Sequence, residues 1–127
     1  MSTSPEPPAA QQFRMVEEGR ADAVLVRCEG ELDLASAPTL LQTLTRLVGE
    51  EPALPIVLDL AGVAFMDSSG LRALIEADRV RREAGRSMAL LAPSAPVLRV
   101  LELVNLRHTF TEIDALEPEE LARLAEG

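Results

Sequence analysis

The chain has 127 residues, 47% of them apolar, and a formal net charge of −9. That length supports one domain with a real core and excludes two. An acidic surface argues against nucleic acid, whose phosphates need a basic face, and against docking on anionic lipid.

Residues 1–11 (MSTSPEPPAAQ) hold three prolines and no large apolar residue beyond the initiator Met. They read as a disordered tail ahead of a single domain over 12–127. A first strand is expected from Gln12 to Val16, then a polar turn over 17–22. Ala23-Val24-Leu25-Val26-Arg27-Cys28 has high β propensity and completes an antiparallel hairpin. The lone cysteine, Cys28, has no partner for an internal disulfide and sits in an apolar run that predicts a buried thiol.

Glu29-Gly30-Glu31-Leu32-Asp33-Leu34 leads away from that strand. A helix follows, capped near Ser36 or Ala37, with Pro38 in the first turn, where a missing N–H costs nothing. Leu40, Leu41, Leu44, Leu47 and Val48 make its apolar face, and Gly49 ends it.

The stretch around which the chain is organised comes next. Ile56-Val57-Leu58-Asp59-Leu60 is a short apolar run bounded by Pro55 and Gly62, with β-branched residues that favour a strand. A connector through Val63-Ala64-Phe65-Met66 reaches Asp67-Ser68-Ser69-Gly70. From Leu71 the apolar spacing becomes helical through Leu74, Ile75, Ala77, Val80 and Ala84, and Gly85 stops it. Asp67, Ser68 and Ser69 all suit a helix N-cap. The same helix start also favours an anion such as a phosphoryl group. The residues alone leave both readings open.

Met88 to Ala92 is a further short strand closed by Pro93. Ser94 caps a helix with Pro96 in its first turn, Val97, Val100, Leu101 and Val104 on one face, and Asn105 at its end. Thr109 to Ile113 reads as an edge strand. Glu117-Pro118-Glu119-Glu120 opens a last helix with acids at its positive end, packed through Leu121, Leu124 and Ala125. The order β, β, α, β, α, β, α, β, α predicts an α/β fold: a mixed, mostly parallel sheet of four to five strands against about four helices, with the antiparallel hairpin at its start.

Enzyme chemistry finds little support. No Gly-x-Ser-x-Gly surrounds Ser68 or Ser69, and no phosphate-binding glycine loop is present. The single histidine, His108, lies beside Arg107 in an expected loop with no supporting motif for a general base. One Cys and one His do not make a zinc site. No catalytic residue, metal ligand or cofactor is therefore expected. No 18-residue apolar run occurs and no signal pattern opens the chain, so a soluble, cytoplasmic protein is expected.

Glu29-Gly30-Glu31-Leu32-Asp33, Ile56-Val57-Leu58-Asp59-Leu60 and Val63-Ala64-Phe65-Met66-Asp67-Ser68-Ser69-Gly70-Leu71 together resemble the STAS domain, and within it the bacterial anti-sigma factor antagonists. The resemblance covers about residues 12–113. It implies a STAS-like fold and a protein that binds an anti-sigma factor serine kinase when unphosphorylated, so freeing a sigma factor. It implies that phosphorylation ends the complex and that a serine phosphatase restores it. The phosphorylated hydroxyl of that family follows the aspartate, which implies Ser68 here, with Ser69 as the alternative. It places Glu31, Asp33, Met66, Asp67, Ser68, Ser69, Gly70, Leu71 and Arg72 at the partner surface, although Met66 and Leu71 have core packing as a competing role. Arg72 departs from the pattern, which often has a small residue there. A monomer or weak homodimer is expected. The competing reading is a STAS module that does not switch, in a transporter or a stress-signalling scaffold; a nucleotide hydrolase would need a catalytic constellation that the sequence lacks.

Overall fold

The computed structural model describes residues 12–126; the expected tail over 1–11 lies outside the described residues. Five strands form one sheet: β1 (Arg14–Gly19), β2 (Val24–Leu32), β3 (Ile56–Met66), β4 (Met88–Leu91) and β5 (Thr111–Ile113). They lie side by side in chain order, β1 antiparallel to β2 and the rest parallel. The helices are α1 (Ala37–Val48), α2 (Ser68–Glu83), α3 (Ala95–Leu103) and α4 (Pro118–Ala125), with a single 3-10 turn at Arg107–Thr109. The mixed sheet, the hairpin and the four helices are those expected from the sequence.

Strand order dictates the layers. Steps from β2 to β5 all run in one direction, and parallel crossovers are right-handed, so α1, α2 and α3 fall on the same face. The larger core lies there: Val26, Cys28, Leu58, Leu60 and Leu90 of the sheet meet Leu40, Leu44, Leu47, Leu74, Ala77, Val97 and Leu101 of the helices. A smaller cluster of Ala23, Leu25, Val57, Ala89, Leu91 and Ile113 is covered on the other face by Leu121 of α4. Leu124 is half-buried beside it, whereas Ala125, expected to pack inward, is exposed.

Several boundaries differ from the sequence reading. β1 begins at Arg14 and continues through Glu17 and Glu18, expected to turn, because both pair along β2; charged side chains suit an exposed edge strand. β2 extends to Leu32 and β3 to Met66, through the expected connector. The two remain paired by shifting register between Arg27 and Glu29 and again between Gly30 and Glu31. Gly30, at φ 98°, supplies the backbone conformation that one of these irregularities uses. β5 starts at Thr111 because Thr109 belongs to the 3-10 turn.

Candidate functional site

The paired ends of β2 and β3 bring two loops together. Leu32 sits opposite Met66, and the Asp67 N–H donates to the Leu32 carbonyl at 3.2 Å. The segment leaving β2 therefore lies against the start of α2, at the carboxyl end of the parallel strands, where open α/β sheets place their sites.

Asp67 alone caps α2. Its backbone is extended, and its Oδ1 accepts from the N–H groups of Ser69 at 2.8 Å and Gly70 at 3.1 Å. The helix begins at Ser68, three residues before its apolar spacing sets in at Leu71, and neither serine is the cap. Ser68 is exposed and Ser69 half-buried. Among the described residues neither hydroxyl has a hydrogen-bond partner, so both are available for chemistry or for a partner.

Gly70 explains the close seating of α2. A Cβ there would lie 2.6 Å from the Leu32 carbonyl oxygen and 2.7 Å from Cγ of Met66. Only glycine lets the helix start approach the β2 end this closely. Leu71 is half-buried against the larger core.

On the facing loop, the Asp33 carboxylate accepts from the N–H groups of Ala35 at 3.0 Å and Ser36 at 3.2 Å. The Ser36 hydroxyl accepts from the Asp33 N–H at 2.9 Å and donates to the Glu31 carbonyl at 2.7 Å. Ser36 thus braces the loop and makes no side-chain cap to α1. Ser94 behaves similarly: expected to cap α3, it instead donates to the Val63 carbonyl at 2.6 Å and ties α3 to β3. Glu31 is half-buried and lines a polar concavity with Gln12, Phe13, Asp33 and Thr39.

One expected apolar contact moves. Met66 is only 4% exposed and packs in the core, so it presents no surface to a partner. The accessible apolar groups are Leu34, 76% exposed, and Phe65, 46% exposed. Leu34, Ala37, Pro38 and Leu41 of the α1 side face Ala73 of α2 across a groove of about 400 Å³, with Ser69, Arg72 and Glu76 on its α2 wall. Sequence reasoning passed over Leu34 and Phe65. The available signal was weak: Leu34 is an apolar residue stranded between the end of β2 and the start of α1, and Phe65 is one of three aromatic residues in the chain.

Other reactive groups lie elsewhere. Cys28 is buried, and burial pushes its thiol up to about 12, with Asp59 adding to the shift; the expected buried thiol is found. His108 is exposed in the 3-10 turn. The described residues contain no cluster of three or more His, Cys, Asp or Glu placed to hold a metal ion, and no described helix is long and apolar enough to cross a membrane.

Comparison with known proteins bears on this geometry. The family model described as the STAS domain matches residues 14–119. An anti-sigma F factor antagonist of Paenibacillus polymyxa is 29% identical over 89 residues, 70% of this chain and 76% of the relative. The crystal structure of an anti-sigma factor antagonist from Mycobacterium paratuberculosis superposes with a TM-score of 0.75 at 23% identity, covering 91% of this chain and 96% of that one. The anti-sigma factor antagonist SpoIIAA in its unphosphorylated form gives a TM-score of 0.70 at 24% identity, over 91% of this chain and 98% of that one. The phosphorylated form of SpoIIAA, a Bacillus cell fate determinant, gives 0.66 at 24%, over 89% and 99%. At these identities the structural matches establish a shared fold.

Proposed function

The chain belongs to the STAS domain family, and on that premise we propose that it is an anti-sigma factor antagonist switched by phosphorylation of Ser68. The unmodified protein binds an anti-sigma factor that is also a serine kinase, and a sigma factor is released. The observation that carries this reading is the division of labour at α2: Asp67 does the capping, so the exposed Ser68 hydroxyl next to it is surplus to the fold. The similarity to anti-sigma factor antagonists, one of them solved in both phosphorylation states, supports it.

In the proposed reaction the Ser68 Oγ attacks the terminal phosphorus of a nucleoside triphosphate held by the kinase. The Oγ–P bond forms, the bond to the diphosphate breaks, and the hydroxyl proton passes to a base on the kinase. The product carries about −1.5 to −2 extra charges. The helix start tolerates them, because its N–H groups and dipole favour an anion. An interface closing over Ser68 does not, because it would desolvate the phosphate beside Asp67 and Asp33. A loss of ~2.8 kcal/mol is already a ~100-fold weakening. The unmodified partner surface consists of Ser68, Ser69, Asp67, Glu31, Asp33 and Arg72, with Leu34 and Phe65 supplying apolar area. Gly70 and Leu71 act by seating the helix. A serine phosphatase returns the protein to its binding form. The protein works as a binding regulator in the cytoplasm, without its own catalysis, through the single domain formed by 12–127.

Capture from a native lysate tests this reading, with wild type and Ser68→Asp compared and the modified residue mapped by mass spectrometry. Wild type should retain a serine-kinase anti-sigma factor that the variant loses. Equal retention of one partner by wild type, Ser68→Asp and Ser68→Ala, with no phosphate on Ser68 or Ser69, overturns it. Retention of a transporter subunit instead supports a STAS module that does not switch.

A further inference from the structure

We infer that Arg72 is the built-in counter-charge for the phosphoryl group at the start of α2, an inference that rests on the proposed modification of that serine pair. Arg72 stands four residues after Ser68 and three after Ser69. On a helix both spacings put side chains on neighbouring positions, and an anion placed one turn before a cation is the favourable orientation. With about 100° per residue, Arg72 falls in angle between the two serines, so it reaches a phosphate on either.

The local charge inventory singles it out. Arg72 is exposed, lines the α1–α2 groove with Ser69, and is the one cation in the first two turns of α2. Among the described residues it forms no ion pair. Its neighbour in the next turn, Glu76, is bound instead by Arg79, which also holds Glu83 at 2.7 Å. The other charged groups around the helix start are Asp67, which caps α2, and Asp33 and Glu31 on the facing segment of β2 and its loop. All three are acidic, so among the described residues Arg72 is the cation available to a phosphate there. An arginine offers a planar fork that matches two phosphate oxygens.

Two consequences follow. The phosphate is held down over the first turn of α2, against the mouth of the groove that includes Leu34. Its dianion is favoured over its monoanion, because the nearby cation stabilises the more charged form. Arg72 is thus a positioning residue for the phosphate of the switched state, besides its place on the partner surface of the unmodified one.

The test uses the full chain with phosphoserine placed at position 68 by codon reassignment, and it needs no kinase. Titration followed by phosphorus NMR reads the second pKa of the phosphate in wild type, Arg72→Gln and Arg72→Lys. Arg72→Gln should raise that pKa by about half a unit, the scale of an exposed opposite charge one turn away, and Arg72→Lys should keep most of the wild-type value. Identical pKa values in all three proteins overturn the inference. Because Arg72 is exposed, each variant is expected to fold, and unmodified samples melted in parallel verify it. The outcome is independent of whether a cellular kinase uses Ser68, so failure of the switch and failure of the counter-charge give different results.

Discussion

At the end of the sheet where β3 and β4 begin, Arg86 is 5% exposed and has no carboxylate partner among the described residues. It donates instead to four backbone carbonyls, those of Leu54 at 2.6 Å, Leu47 at 2.7 Å, Val48 at 3.0 Å and Glu50 at 3.2 Å. These include the last carbonyls of α1, the negative end of its dipole. Nearby the Ser87 hydroxyl donates to the Leu124 carbonyl at 2.5 Å and pins α4. At the opposite end, where β2 and β3 finish, Asp67 caps the helix while Ser68, Ser69 and Arg72 are left without partners among the described residues. Leu34 lies open beside them. One end spends its polar groups on closing the fold; the other is closed by Asp67, Asp33, Ser36 and Gly70, with Ser68, Ser69 and Arg72 left over.

The difference can be broken first at the closed end. Arg86→Leu takes a donor from one buried and three part-buried carbonyls and should destabilise the protein by ~3–4 kcal/mol, read from urea unfolding. Arg86→Lys should recover only part of this, since an ammonium lacks the planar fork. A loss below ~1 kcal/mol would mean the clamp is not what holds that end.

Gly70→Ala should cost ~2–3 kcal/mol in the same assay, because its Cβ meets the Leu32 carbonyl. The sign is informative, since alanine at an open helical position would gain about 1 kcal/mol over glycine. The smallest effects sharpen the contrast within α2 itself. Asp67→Ala should lose ~1 kcal/mol as the cap goes, whereas Ser68→Ala should stay within about 0.5 kcal/mol. Equal losses for the two would return Ser68 to a structural role.

Much of this fold is legible in the chain. β-Branched runs mark β2 and β3, glycines 49 and 85 mark helix ends, and Asp67-Ser68-Ser69-Gly70 marks the helix start at the candidate site. Those signals are local. What escaped depends on residues far apart. β3 continues through Gly62 only because β2 remains paired to it across two register shifts. Arg86 follows a glycine and precedes a serine, so it reads as a surface turn, and its acceptors lie 32 to 39 residues away. Which of three adjacent capping residues does the capping was likewise undecidable from type alone; the extended backbone at Asp67 decides it. The burial of Met66 and the exposure of Leu34 escaped for a related reason, since alternation predicts sides of a strand but not which loop residues a neighbouring helix leaves uncovered.

The central claim is that the Ser68 end of the sheet is a phosphorylation-controlled binding surface. The most direct measurement is the dissociation constant of the captured anti-sigma factor for the unmodified protein and for the protein carrying phosphoserine at position 68, at one salt concentration. The account predicts at least ~100-fold weaker binding for the phosphorylated protein, with thermal stability of the free protein unchanged or raised. Equal affinities for the two forms would contradict it.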